Sequence, residues 1–130
     1  MKSVLVTGAA RRIGRAIAIN LAKTGWSVAV HCNRSEEEAE AVVDEISSLG
    51  CKAAVVKADL AIEEDTAGLI RKANEVIGPL SCLINNASVF EEDTPETATQ
   101  KTWETHMQVN LRAPFQLTQE FLLQRRGDVE

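Results

Sequence analysis

Eight residues near the start of the chain, Thr7-Gly8-Ala9-Ala10-Arg11-Arg12-Ile13-Gly14, combine two glycines with two adjacent arginines. The apolar run Val4-Leu5-Val6 precedes them and a helical pattern follows, which makes them the turn from a strand into a helix. Gly8 permits a tight turn at this point, and Gly14 allows close packing of helix on strand. Unpaired N–H groups at the helix start, with the helix dipole behind them, then suit a phosphate or pyrophosphate. Cations at such a helix start oppose the dipole by about 0.3–1 kcal/mol each. Arg11 and Arg12, with Arg15 one turn on, therefore predict a bound anion, or else a solvated cluster whose repulsion is screened. Gly8, Arg11, Arg12, Ile13 and Gly14 are the candidate residues for the diphosphate of a dinucleotide.

A second group of residues decides which dinucleotide. An NAD-binding turn of this kind has an acidic residue about 20 positions on, at the end of the second strand, to hold the ribose hydroxyls. Here that place reads His31-Cys32-Asn33-Arg34-Ser35, and no carboxylate occurs until Glu36, already inside a helix. Arg34 suits a 2′-phosphate, and Asn33 and Ser35 add hydrogen bonds to it, so the expected cofactor is NADP(H). The alternative is that Arg34 is a surface residue and Ser35 only a helix cap. Further on, Ala58-Asp59-Leu60 follows the third strand at the carboxyl edge of the sheet, where ligands bind. Asp59 serves there either as a ligand or as a helix cap. Asn85-Asn86-Ala87-Ser88 follows the fourth strand. Asparagines donate and accept, so Asn86 can join strand ends, while Ala87 and Ser88 are small enough for close backbone approach by a cofactor. His31, at a strand end, reads as packing close to the cofactor; His106, with nothing evident to pair with, reads as structural.

The elements that position these groups alternate strand and helix, the pattern of βαβ units and a parallel sheet. Strands are expected over Ser3–Thr7, Ser27–His31, Ala53–Lys57 and Leu80–Ile84. The first helix runs from about Arg12 to Lys23, with Ile13, Ala16, Ile17 and Leu21 inward and Gly25 closing it. The second is capped by Ser35 in a Ser35-x-x-Glu38 capping box, turns Ala39, Val42, Val43 and Ile46 inward, and ends at Gly50. The third spans about Glu63 to Ile77 with Leu69, Ile70, Ala73 and Val76 inward, and Gly78-Pro79 stops it. Pro95 is the expected first residue of two helical stretches reaching Arg125. Gly127 would cap the last of them, and Asp128-Val129 would open a fifth strand. The fold class is thus α/β, a Rossmann-type doubly wound parallel sheet of order 3-2-1-4, cut off before strand five.

Composition fits one domain over residues 1–130: the chain is 45% hydrophobic and carries a formal charge of −5, which argues against nucleic acid as a partner. No run approaches the roughly 18 apolar residues of a membrane helix, and strand-like sequence begins without a signal peptide. The three cysteines, Cys32, Cys51 and Cys82, lack metal-ligand spacing and read as reduced thiols, which points to the cytoplasm.

Together these motifs resemble those of the short-chain dehydrogenase/reductases, with Arg12 where the family's Thr-Gly-x-x-x-Gly-x-Gly turn has its middle glycine. Arg12, the Asn33-Arg34-Ser35 stretch and Ser88, which replaces the glycine of the family's Asn-Asn-Ala-Gly, are similar to the pteridine reductase branch. The resemblance implies NADP-dependent reduction of a carbonyl or imine in a small molecule, with a pterin as one such substrate. It implies that Asp59 contacts adenine, that Ser88 and Phe90 face substrate, with Phe90 stacking on the flat ring or else packing on the next helix, and that Asn110 belongs to a proton relay. It also implies that the last helices build a homo-oligomer in the complete protein. The family's general acid, a tyrosine in Tyr-x-x-x-Lys, has no counterpart, since the chain contains no tyrosine. The polypeptide by itself is therefore expected to bind NADP poorly and to be inactive, a cofactor-binding segment left with an open strand edge, marginally stable or self-associating. The alternatives are a reductase of oxoacyl thioesters and a non-catalytic NADP-binding module.

Overall fold

The computed structural model describes residues 2–126. Its elements in chain order are β1 (Ser3–Val6), α1 (Arg12–Lys23), β2 (Ser27–Cys32), α2 (Glu36–Ser48), β3 (Ala53–Lys57), α3 (Glu63–Ala67), α4 (Leu69–Ile77), β4 (Cys82–Ile84), α5 (Gln100–Met107), a π-helical turn (Gln108–Arg112) and α6 (Ala113–Arg126). The four strands form one parallel sheet in the order β3-β2-β1-β4, so the strand order reverses between β1 and β4.

Side chains alternate across a strand, and this period sorts the core into two layers. Val4, Val6, Val28 and Val30 pack under α1 and α2, against Ala18, Ile19, Ala22, Val42 and Ile46. Leu5, Ala29 and Val56 face the other way, onto Leu69, Ile70, Ala73 and Ile77 of α4 and onto Val109, Ala113 and Leu117. Strands β1 and β2, buried on both faces, consist of continuous apolar runs, as a doubly covered parallel sheet requires.

Several local expectations are corrected. The third helix is broken in two at Gly68, whose φ of −93° and ψ of −7° end α3 and start α4. Within α4, Leu69, Ala73 and Ile77 stand four residues apart with Ile70 beside them, so the last inward residue is Ile77 and Val76 faces solvent. In α1 the buried stripe runs through Gly14, Ala18 and Ala22 at four-residue spacing with Ile19 beside it, whereas Ala16 is exposed and Ile13, which lines the cleft, is 70% exposed. Ser35 occupies the N-cap of α2 without a capping bond, and Glu38 pairs instead with Arg11. Pro95 lies in a turn, not a helix. Asp93 Oδ1 accepts from the Thr94 N–H and the Thr97 hydroxyl, a local network that competes with helix formation. Helix α5 starts five residues later, where Thr99 and Thr102 form the capping box. Strand β4 is shorter than expected, because the N–H group of Leu80 is taken by the Asn74 side chain; Ser81 still donates to the Ser3 carbonyl of β1. The expected cap at Gly127 and fifth strand at Asp128-Val129 lie outside the described residues. On α6, Phe115, Leu122 and Leu123 are exposed, while Phe121 packs on the second core layer.

Ile46 is fully buried in the first layer. Replacing it with alanine is expected to lower the unfolding free energy by about 2–5 kcal/mol. A loss below about 1 kcal/mol in urea denaturation would place Ile46 outside the core.

Candidate functional site: a cleft across the β1–β4 switch point

Strand β1 ends at Thr7, whose buried hydroxyl uses its whole hydrogen-bonding capacity on the neighbouring strand end. Thr7 Oγ1 accepts the N–H groups of Asn86 (3.0 Å) and Ala87 (2.9 Å) and faces the Ile84 carbonyl oxygen at 3.4 Å. Asn86 returns the contact, its Nδ2 donating to the carbonyls of Thr7 (3.1 Å) and Gly8 (3.3 Å). The turn then reverses through Gly8 in the left-handed region (φ 62°), and a Cβ there would lie 3.0 Å from Ala87 Cα. A Cβ on Gly14 would overlap the Gly8 carbonyl oxygen and come within 2.6 Å of Asn86 Nδ2. Both glycines are therefore required by the approach of helix α1 to β1 and to the loop after β4.

His31 closes the other side of the turn. The Gly8 N–H donates to His31 Nδ1 (2.9 Å), and since a backbone amide only donates, the ring proton resides on Nε2, which donates to the Ala58 carbonyl oxygen (2.9 Å). One buried imidazole thus bolts the ends of β1, β2 and β3 together. Burial holds its pKa below the usual histidine value, only partly opposed by the bond to Ala58. This residue is more than packing.

Above this floor lies a cleft of about 860 Å³. It is lined by Gly8, Arg11, Arg12, Ile13 and Gly14 from the first turn, by Asn33, Arg34 and Ser35 after β2, by Asp59 and Leu60 after β3, and by Asn86, Ala87 and Ser88 after β4. Those residues, predicted from four separate stretches of sequence, meet at one place. Ala58 does not line the cleft; it is buried, with its carbonyl on His31. Phe90 is 86% exposed and, like Asn110, stands outside the lining. Residues that sequence reasoning left out of the site are Ala10, His31, Cys32, Ala61, Val89, Glu91, Thr105 and Val109. Of these, Cys32 is a buried free thiol whose pKa burial raises, followed by the nearby Glu36 carboxylate. Asp59 forms a turn of its own: its Oδ1 accepts the Ala61 N–H at 2.9 Å.

The arginines divide into two pairs. Arg11 is bound by Glu38 (3.1 Å) and Arg15 by Glu45 (2.6 Å), both from α2, so the repulsion expected at the start of α1 is partly answered within the protein. Arg12 and Arg34 have no carboxylate within ion-pair distance among the described residues. Arg12 also adopts φ 56°, a left-handed conformation that costs a non-glycine residue about 1–2 kcal/mol. Helix α1 has no side-chain cap at its N-cap, Arg11, so its first N–H groups are free of capping side chains.

Asn110 sits within the π-helical turn, a distortion common at functional positions. Its side chain clamps the backbone of Val89, accepting the N–H and donating to the carbonyl, both at 2.8 Å. His106 is also engaged, contrary to expectation: Nε2 accepts the Glu91 N–H (3.0 Å) and Nδ1 faces the Thr102 carbonyl (2.7 Å). Among the described residues there is no cluster of ligating side chains for a metal, and no helix long and apolar enough to cross a membrane.

Because folded His31 resists protonation and the unfolded chain does not, the unfolded state binds more protons below about pH 6.5. Stability is therefore complete above that pH and declines as pH falls toward the lowered folded value. Urea unfolding should show this slope, up to about 1.4 kcal/mol per pH unit. His31→Gln should flatten it; an unchanged slope in that variant would remove His31 as its source.

The sequence profile of the short chain dehydrogenase family matches residues 2–128. A 3-oxoacyl-[acyl-carrier-protein] reductase FabG of Staphylococcus aureus strain Mu50 is 36% identical over 132 residues, covering 98% of this chain and 54% of that protein. A crystal structure of FolM alternative dihydrofolate reductase 1 from Brucella suis, in complex with NADP, superposes with a TM-score of 0.88 at 45% identity, over 92% of this chain and 50% of that one. A short chain dehydrogenase from Burkholderia cenocepacia J2315, also in complex with NADP, superposes with a TM-score of 0.87 at 36% identity, over 91% of this chain and 48% of that one. The chain spans about half the length of these relatives. With a profile match over nearly its whole length, and with the sheet order and glycine turn described above, the chain belongs to the short-chain dehydrogenase family.

Proposed function

We propose that the cleft binds NADP(H) and that the chain is the cofactor-holding part of an NADP-dependent reductase. The observation that carries this reading is Arg34: it lies directly after β2, lines the cleft and lacks a carboxylate partner among the described residues. No acidic side chain stands at the end of β2 to select ribose hydroxyls. Arg34, with Asn33 and Ser35 beside it, takes the 2′-phosphate; an arginine–phosphate bond is charge-assisted and bidentate. Gly8, Gly14 and the N–H groups at the start of α1 take the diphosphate, with Arg11, Arg12 and Ile13 around it. Asp59, with Leu60, borders the adenine, and Asn86, Ala87 and Ser88 form the floor toward the reacting end.

When bound, the cofactor supplies a hydride, while the protein places the substrate and excludes water. Asn110 acts here by position, holding Val89 beside Ser88. The chain contains no tyrosine to deliver the proton, and by itself it holds cofactor without turnover.

Substrate is the finer part of the reading. Ser88 and the exposed ring of Phe90 favour a flat heterocycle such as a pterin, and the Brucella suis relative is an alternative dihydrofolate reductase, a name that implies a substrate with such a ring. The match to an oxoacyl-thioester reductase supports a second reading, in which the substrate is an acyl thioester. In the complete enzyme, Phe90→Ala should raise KM for a dihydropterin while sparing thioesters; the reverse pattern favours the second reading.

The cofactor assignment is tested by titrating the chain with adenosine 2′,5′-bisphosphate and with adenosine 5′-diphosphate. The 2′-phosphate compound should bind at least about tenfold more tightly, and Arg34→Asp should abolish the difference. Equal affinities in the unaltered chain would overturn it.

A further inference from the structure

Between β4 and α5 the chain runs through residues 85–99 without a strand partner, yet it forms one wall of the cleft through Ser88, Val89 and Glu91. Its backbone is held by side chains. Thr102, His106 and Asn110 stand four residues apart along α5 and the π-helical turn, and so share one helix face. They engage alternate residues of the segment in reverse order. The Thr102 hydroxyl donates to Asp93 Oδ2 (2.8 Å), His106 Nε2 accepts the Glu91 N–H (3.0 Å), and the Asn110 amide takes both backbone groups of Val89 (2.8 Å each). The helix face replaces a neighbouring strand.

We infer that this three-rung ladder sets the wall of the cleft, and that its middle rung, His106, is a positioning residue that holds Glu91 only while its imidazole is neutral. The tautomer follows from the partners. The Glu91 amide only donates, so Nε2 carries the lone pair and Nδ1 carries the proton, directed at the Thr102 carbonyl. A second proton on Nε2 would set donor against donor. The charged group acting on the ring from the loop is the Asp93 carboxylate; from its own helix the neutral Thr102 carbonyl faces Nδ1. Asp93 is kept ionised by hydrogen bonds, chiefly from Thr102, then Thr97 and Thr94, so it attracts a protonated ring. Glu91 lines the cleft, and releasing its backbone therefore changes the cleft wall. The ladder does not depend on which ligand fills the cleft.

Amide hydrogen exchange by NMR on the chain without ligand tests this residue by residue. Between about pH 8 and pH 5, where histidines change charge, protection at Glu91, corrected for intrinsic exchange, should fall by up to about tenfold. Val89 and the β1 residue Leu5 should keep theirs. His106→Gln, whose side-chain oxygen accepts but does not titrate, should hold Glu91 at both ends of the range, and His106→Leu should lose it throughout. Glu91 protection that is independent of pH in the unaltered chain, or a pH dependence that persists in His106→Gln, would overturn the inference.

Discussion

The cleft depends on one hydroxyl group. Thr7 stands where the strand order reverses, and its oxygen accepts two successive N–H groups from the loop after β4. Both are part of a floor that must be flat and close. Gly8 and Gly14 lie against it with no room for a Cβ, and Asn86 returns its amide to the carbonyls of Thr7 and Gly8. A buried N–H without an acceptor costs about 1–3 kcal/mol, so removing this oxygen strands two groups at once. His31 does the corresponding work on the far side, joining Gly8 to Ala58. Four strand ends are thereby fixed relative to one another before any ligand arrives, which is the preorganisation that phosphate recognition by backbone groups needs.

Charge is arranged on top of this frame by subtraction. A chain of net charge −5 gathers arginines at one sheet edge, and helix α2 then neutralises two of them, Arg11 and Arg15, through Glu38 and Glu45. These are exposed ion pairs, worth little as stability. Their consequence is selective: the cations left over are Arg12, held in a left-handed conformation at the turn, and Arg34, beyond β2. Localised cations, not a diffuse basic field, line the cleft.

Sequence made the sheet legible because its strands are doubly buried and read as plain apolar runs; β1, β2 and β3 fall within a residue of where their composition puts them. The cleft was legible because a parallel sheet brings its carboxyl ends together, so residues after four strands had to converge. What escaped was mostly competition at short range. Gly68 is one glycine in an otherwise helical pattern, and nothing local announces that it interrupts the helix. The Ser35 box lost its glutamate to Arg11, a partner 27 positions back, and Pro95 lost its helix to the threonine and aspartate side chains around it. Thr7 and His31 escaped for another reason. Each serves the site through atoms that contact other backbone, and such roles leave no periodicity or charge pattern to read. The ladder of Thr102, His106 and Asn110 was half visible, since the spacing of four is in the sequence but its partners are not.

The role given to Thr7 is open to a direct measurement: equilibrium unfolding and adenosine 2′,5′-bisphosphate titration of Thr7→Val, which keeps the shape and removes the oxygen. Stability should fall by about 2 kcal/mol or more, and in conditions where the variant is still folded its affinity for the bisphosphate should fall as well. A variant as stable and as tightly binding as the unaltered chain would contradict the claim that this hydroxyl holds the floor of the cleft.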